Sequence, residues 1–320
     1  MYFKCLSVIQ SPSPVGAGTM GHATALQFAL AGYPVRLYDH SAAGLQHGQV
    51  AIAHDLKTFQ EAGLLNEEPE AILSRITLTT DLTAACRDTG FVIESIVEDQ
   101  QVKQAVWQEI EDQVGPETVL ATNTSGLSPT ALQSVLAHPE RFVVAHFWNP
   151  AQLMPLVEVV PGKDTSQATV DLTVALMNKI GKHAVPLKKE ALGFVGNRIQ
   201  LAVLREAFHI VDEGIASPEA VDDIIKYSLG RRWNLVGPIA SADLGGLDVF
   251  KNISSYLYAD LANSTGTDPT LAKLVDHGKL GLKSGQGFYD WQGDAGQRVV
   301  TDRDRELLAQ LKHDHEEGEH

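Results

Sequence analysis

Up to about residue 190 the chain alternates short β-rich runs with helical patterns, and this alternation limits its fold more than any other feature. The runs are FKCLSVI, PVRLYD, RITLTT, FVIESI, TVLATN, RFVVAHF, LVEVV and HAVPLK. Strands separated by helices predict an α/β unit, a mostly parallel doubly wound sheet with helices on both faces. Between PVRLYD and RITLTT, residues Ser41 to Ser74 read as a helical pair with a turn near Gly63, a helical insertion into the unit. From about Gly193 the strand pattern stops, and IQLAVLREAFHIVDEGI, PEAVDDIIKYSL and VFKNISSYLYADLA carry apolar residues at helical spacing. The second half is therefore expected to be an all-α domain. The segment KKEALGF places the expected boundary near Lys188, giving domains 1–188 and 189–320.

The stretch SVIQSPSPVGAGTMG carries a glycine turn preceded by two prolines. Gly16, Gly18 and Gly21 have the spacing of a dinucleotide-binding turn: one for the tight bend, one for close approach to a pyrophosphate, one for helix packing. TMGHATALQFALAGY follows as a helix whose first amides, at Thr19 and Met20, would face the phosphates, and PVRLYD then ends in Asp39. A carboxylate there accepts from both ribose hydroxyls and repels a 2′-phosphate, and His40 follows it rather than arginine, which favours NAD over NADP. Strand, turn, helix, strand and acid in that order predict a Rossmann-type NAD domain; Gly-rich helix starts and strand-end acids are otherwise common punctuation. Because proline donates no ladder bond, the first strand is expected over Phe3–Ile9, with Gln10–Val15 as an extra loop at the cofactor edge.

Size and charge narrow the function. The chain has 320 residues, an apolar fraction of 44% and a formal charge of −15, enough for two domains and a buried core. With no basic stripe, nucleic acid and anionic membranes are poor partners. Cys5 and Cys86 lack metal-ligand spacing and suit a reducing compartment, so a cytoplasmic protein with no metal is expected. The tail HDHEEGEH reads as a solvated end.

RFVVAHFWNPAQLMPLVEVVPG puts His146 at the end of one strand and Glu158 on the next, joined by a turn with Asn149, Pro150 and Pro155. Alternation gives Glu158 apolar neighbours, a costly place for a carboxylate unless a cation or N–H satisfies it. His146 is the natural partner. A paired carboxylate fixes one imidazole tautomer and stabilises the imidazolium, as a general base acting on an alcohol requires. On a hairpin alone, such a pair is more often structural.

GAGTMG, IESIVEDQQVK, TNTSGLS, AHFWNP, LVEVVPG, GFVGNR and GLKSGQGFYDW, in this order, resemble the L-3-hydroxyacyl-CoA dehydrogenases over nearly the whole chain. The resemblance implies an NAD cofactor, a helical domain that forms a homodimer, and a catalytic pair matching His146 and Glu158. It also implies that Ser125 and Asn197 lie near the substrate oxygen, the bland alternatives being helix caps. Ser95, Glu98, Lys103, Asn123 and Asn149 become cofactor contacts by the same resemblance, Asn149 orienting His146 or the nicotinamide; Glu98 and Lys103 read equally as solvated helix charges. Trp148 stands where the family commonly shows phenylalanine.

A small-molecule 3-hydroxyacyl-CoA is the implied substrate. The insertion, however, offers only Lys57 as a firm cation, and Asp55 falls about where the family has a serine toward the CoA nucleotide. A related branch acting on free 3-hydroxy acids such as L-gulonate, similar to lambda-crystallin, shares VDLTVALMNKIGK, EAFHIVDEGIASPE and LGRRWNLVGPIASADLGGLD, with Arg231 and Arg232 as candidate carboxylate ligands. A non-catalytic NAD-binding protein is the reading from another class.

Overall fold

A computed structural model of the chain describes residues 11–317. Its strands are β1 (Pro12–Val15), β2 (Val35–Tyr38), β3 (Ile76–Thr79), β4 (Phe91–Glu94), β5 (Val119–Thr122), β6 (Phe142–Phe147), β7 (Leu156–Pro161) and β8 (His183–Pro186). They form one sheet in the order β3-β2-β1-β4-β5-β6-β7-β8. β1 to β6 run parallel, β7 turns back antiparallel to β6, and β8 lies parallel to β7. The order reverses between β1 and β4, which opens a crevice at the carboxyl ends of the strands, the ligand position in sheets of this class. Every expected strand from PVRLYD onward is present, and the insertion folds as helices Ala42–Glu61 and Pro69–Leu73 beyond a turn at Gly63 (φ 71°).

The first strand differs from expectation. Phe3–Ile9 lies outside the described residues, and the loop assigned to Gln10–Val15 is, from Pro12, itself the central strand. The prolines are tolerated because both miss their N–H on the same side. Along a strand the amides alternate, and here Val15 O accepts from Ser95 N on the β4 side (2.8 Å) while Gly16 N donates to Tyr38 O on the β2 side (2.8 Å). Pro12 and Pro14 thus face β2. The β1–β4 ladder keeps four residue pairs, whereas β1–β2 retains only Val15 with Tyr38. The carbonyls left over on β2 are satisfied by serine: Ser11 Oγ donates to Pro34 O (3.2 Å) and Ser13 Oγ to Arg36 O (3.1 Å). In SPSP each hydroxyl replaces the donor its neighbouring proline lacks.

Both faces of the sheet are covered. Helix Thr19–Leu30 packs on one face with helix Gln167–Lys179, burying Leu26, Phe28, Val170, Leu176 and Met177. On the other, Trp107 and Ile110 of helix Gln100–Glu111 meet Val92, Leu120 and Phe142, with Trp107 and Phe142 in an edge-on contact at 5.1 Å.

The chain divides into two compact units, one running to Val195 and resuming at Asp302, the other Gly196–Thr301. This differs from the division near Lys188 and from a helical domain reaching residue 320. The segment after β8 stays with the first unit because Glu190 accepts from Ser128 Oγ (2.8 Å) and Thr130 Oγ1 (2.6 Å), and Phe194 is buried beside Val144 and Val160. The last helix, Ala295–Glu317, groups with the first unit from Asp302 because Leu307, Leu308 and Leu311 pack with Phe59, Leu64, Leu65 and Leu153. The second unit is built on helices Gly196–Asp212, Pro218–Tyr227, Leu229–Gly245, Leu247–Leu257 and Pro269–Asp276, the third kinked at Gly237 ahead of Pro238. Among the described residues no helix is long and apolar enough to cross a membrane.

Candidate active site

The glycine turn sits directly on β1. Gly16 has φ 98°, and a Cβ there would lie 2.8 Å from Ser95 O; a Cβ on Gly21 would fall 1.7 Å from Gly16 O, so both positions require glycine. At Gly18 a Cβ would meet nothing within 4 Å, which leaves open approach to the start of helix Thr19–Leu30. That helix has no side-chain cap, so its first-turn amides, from Thr19 and Met20 onward, are available to an anion. Asp39, at the end of β2, accepts from Ala17 N through Oδ2 and from Ser41 N through Oδ1, each at 2.9 Å. A carboxylate has about four acceptor positions, so capacity remains for two ribose hydroxyls. A cavity of about 480 Å³ lies here, lined by Gly16, Gly18, Tyr38, Asp39, Ser95 and Val106 among others. Its open glycine edge, uncapped helix and terminal acid fit a dinucleotide.

Further along the same edge, Asn123 ties three strands together: its N donates to Glu94 O (2.7 Å), its Nδ2 to Ser95 Oγ (3.2 Å), and its Oδ1 accepts from Phe147 N (2.8 Å). Glu98 accepts from Ser125 N (2.8 Å) and from Thr124 Oγ1, fixing the turn that presents Ser125. Lys103 is turned inward. Its ammonium is buried in an ion pair with Glu94, which also accepts from Thr122 Oγ1 and Ile96 N, and reaches Glu98 at 3.5 Å. Lys103 is therefore not a solvated helix charge, and it bears on this edge through Glu98.

His146 and Glu158 stand directly opposite one another in the antiparallel β6–β7 pair. Nδ1 of the imidazole lies 3.0 Å from Glu158 Oε2, and both side chains are buried. The sequence did not reveal the other donors to this carboxylate. Val195 N donates to Oε1 at 3.0 Å, and Trp148 Nε1 lies 3.4 Å from Oε2. Phe194 holds φ 53°, a left-handed conformation costing on the order of 1–3 kcal/mol, and packs its ring 5.5 Å from the imidazole while the next amide meets Glu158. The Trp148 ring also packs against the imidazole at 5.5 Å. Nε2 has no partner among the described residues and is the nitrogen left to take a proton. Asn149 is exposed on the turn after Trp148.

Asn197 is the second residue of helix Gly196–Asp212, in the other compact unit, as are Arg231 and Arg232. In the insertion, Lys57 pairs with Glu61 at 3.6 Å. Asp55 is buried with its carboxylate 3.2 Å from His22 Nε2, whose Nδ1 lies 2.9 Å from Gly18 O.

Known proteins resemble this chain. Residues 13–191 match the family model of the 3-hydroxyacyl-CoA dehydrogenase NAD-binding domain, and 193–291 that of its C-terminal domain. The chain is 37% identical over 289 residues to a 3-hydroxybutyryl-CoA dehydrogenase of Bradyrhizobium diazoefficiens, covering 90% of this chain and 97% of that one. It is 32% identical over 302 residues to a 5-formyl-3-hydroxy-2-methylpyridine 4-carboxylate 5-dehydrogenase of Mesorhizobium japonicum, covering 94% and 97%. A crystal structure of an enzyme of that name, described as an NAD+-dependent dismutase, superposes with a TM-score of 0.89 at 32% identity over 94% of this chain and 97% of that one.

Proposed function

The chain belongs to the 3-hydroxyacyl-CoA dehydrogenase family, NAD-dependent oxidoreductases acting on CH–OH groups, and from that premise we propose that it oxidises a 3-hydroxyacyl group reversibly to the 3-oxo form with His146 as general base. The observation that carries this reading is the buried His146–Glu158 contact at 3.0 Å, with Nε2 unpartnered, at the edge of the sheet that also carries the glycine turn.

In the forward direction Nε2 of His146 accepts the 3-hydroxyl proton as the carbonyl forms. NAD, when bound, supplies the acceptor for the hydride leaving C3. Glu158 accepts from Nδ1–H and stabilises the resulting imidazolium, and the N–H groups of Val195 and Trp148 keep the carboxylate in place. Ser125, on a turn pinned by Glu98, donates its hydroxyl to the substrate oxygen. In reverse, protonated His146 polarises the ketone.

Membership of the family supports a CoA thioester as the substrate. A second reading, a free hydroxy acid, is favoured by the insertion: its firm cation Lys57 is engaged by Glu61 and its buried Asp55 by His22, leaving little to hold phosphates. NADH absorbance separates the two. Acetoacetyl-CoA, free acetoacetate and a keto-sugar acid are compared at matched concentration; turnover of the thioester alone establishes the acyl-CoA enzyme, and turnover of the acids alone assigns the free-acid reading. Absence of turnover on the whole panel, with NADH still bound, contradicts the dehydrogenase reading of this site. We further infer a cytoplasmic homodimer paired through the helical unit, where Leu235, Ile239, Leu244 and Tyr258 are exposed.

A further inference from the structure

Lys182 falls between helix Gln167–Lys179 and β8, in KIGKHAVPLKK, a stretch with four lysines. Its amine is not in solvent. The residue is 3% exposed, and Nζ donates to the carbonyls of Ala151 at 2.7 Å and Met154 at 3.1 Å. Both carbonyls belong to the turn Trp148–Pro155, which leads from the strand of His146 to the strand of Glu158. His183 N, next in the chain, donates to Pro155 O at 2.8 Å, so the end of the turn is held by the sheet and its middle by the lysine.

No carboxylate pairs with this amine among the described residues, and burial brings it down from its ordinary value to about 7. A buried amine without a counter-charge is costly, and an apolar side chain would fill the space at less expense. What an apolar side chain could not do is satisfy these two carbonyls. An amine has two N–H groups even when neutral, matching two acceptors in either protonation state. Packing alone leaves the turn room to shift, since a cavity of about 250 Å³ adjoins it, lined by Phe59, Leu65, Gln152, Lys182 and Leu311 among others.

We propose that Lys182 is a positioning residue for the reaction: by holding the carbonyls of Ala151 and Met154 it fixes the turn that sets His146 against Glu158, without touching either side chain. The proposal rests on the His146–Glu158 pair being the catalytic one. Misplacement of a reacting group by about 1 Å costs on the order of a hundredfold in rate, so a loosened turn registers in kcat.

The test compares Lys182→Met, an unbranched side chain one atom shorter that donates nothing, with Lys182→Gln, which keeps an N–H2 group. Turnover of the substrate found on the panel above and NADH affinity by fluorescence are measured on folded protein. The expected result for Lys182→Met is a kcat at least about tenfold below the parent with NADH affinity and KM within about twofold, and for Lys182→Gln a kcat partly recovered. A Lys182→Met kcat within about twofold of the parent overturns the proposal whatever the melting temperature; so does a parallel loss of NADH affinity. Should neither variant fold, the amine is an element of the core and the proposal is likewise overturned. His146→Gln is run alongside: normal turnover there removes the premise, whereas an inactive His146→Gln beside an active Lys182→Met removes only the positioning role.

Discussion

Glu158 is where the fold commits most to a single side chain. His146 Nδ1, Val195 N and Trp148 Nε1 all point at its two oxygens, so the site is built for an acceptor with no proton of its own. Glu158→Gln should therefore be far more damaging than its near-identical shape suggests. Its amide would turn an N–H2 toward at least one of these donors, or reverse the imidazole tautomer and protonate Nε2, the nitrogen that must act as base. We expect a kcat loss of about 10²–10⁴-fold, with NADH affinity unchanged, measured by initial rates and fluorescence titration. His146 and Glu158 were legible in the sequence because strand alternation brings residues on either side of a tight turn together. Val195 N was not, since a backbone amide has no sequence signature and its aim depends on Phe194 taking a left-handed conformation. The burial of Lys103 was not legible for a related reason: nothing in IESIVEDQQVK distinguishes a lysine reaching outward from one folded under onto Glu94.

At the scale of elements, β4 to β7 could be read from apolar runs because a strand buried on both faces has little freedom in composition, and the partly exposed β2, β3 and β8 from their β-rich residues. β1 could not, because the rule that excludes proline from central strands assumes that the lost donor has no substitute. Ser11 and Ser13 provide one. Ser13→Ala removes the donor to Arg36 O and should cost about 1–3 kcal/mol, read by denaturant unfolding, while a cost near zero would show that the hydroxyl does not replace the missing amide. Lys182 supplies a pH signature between helix and strand. Its folded-state value of about 7 lies below its ordinary 10.5, so between these pH values the unfolded chain binds more protons and stability contributed by this group rises with pH. The stability difference between the parent and Lys182→Met should thus shift in favour of the parent from pH 7 to 9, on the order of 1 kcal/mol per pH unit. An unchanged difference would contradict a depressed amine.

For the whole molecule, the two halves of the chain were legible as α/β and all-α, but their extents were not. The helix from Ala295 follows its apolar residues Leu307, Leu308 and Leu311 back to the first unit, a tertiary choice that periodicity alone does not announce. The helical unit leaves Leu235 and Ile239 each at least 80% exposed, too much apolar surface to face water singly. Ile239→Glu should convert a dimer into monomers by sedimentation velocity; a parent that is already monomeric contradicts the assignment of this face. The central claim is that His146 is the base of an NAD-linked dehydrogenase. Its most direct test is the pair of constants for His146→Gln: NADH affinity by fluorescence and kcat by NADH absorbance. The account predicts an affinity within about twofold of the parent and a kcat lower by about 10²–10⁴-fold, whereas near-normal turnover with the imidazole gone would contradict it.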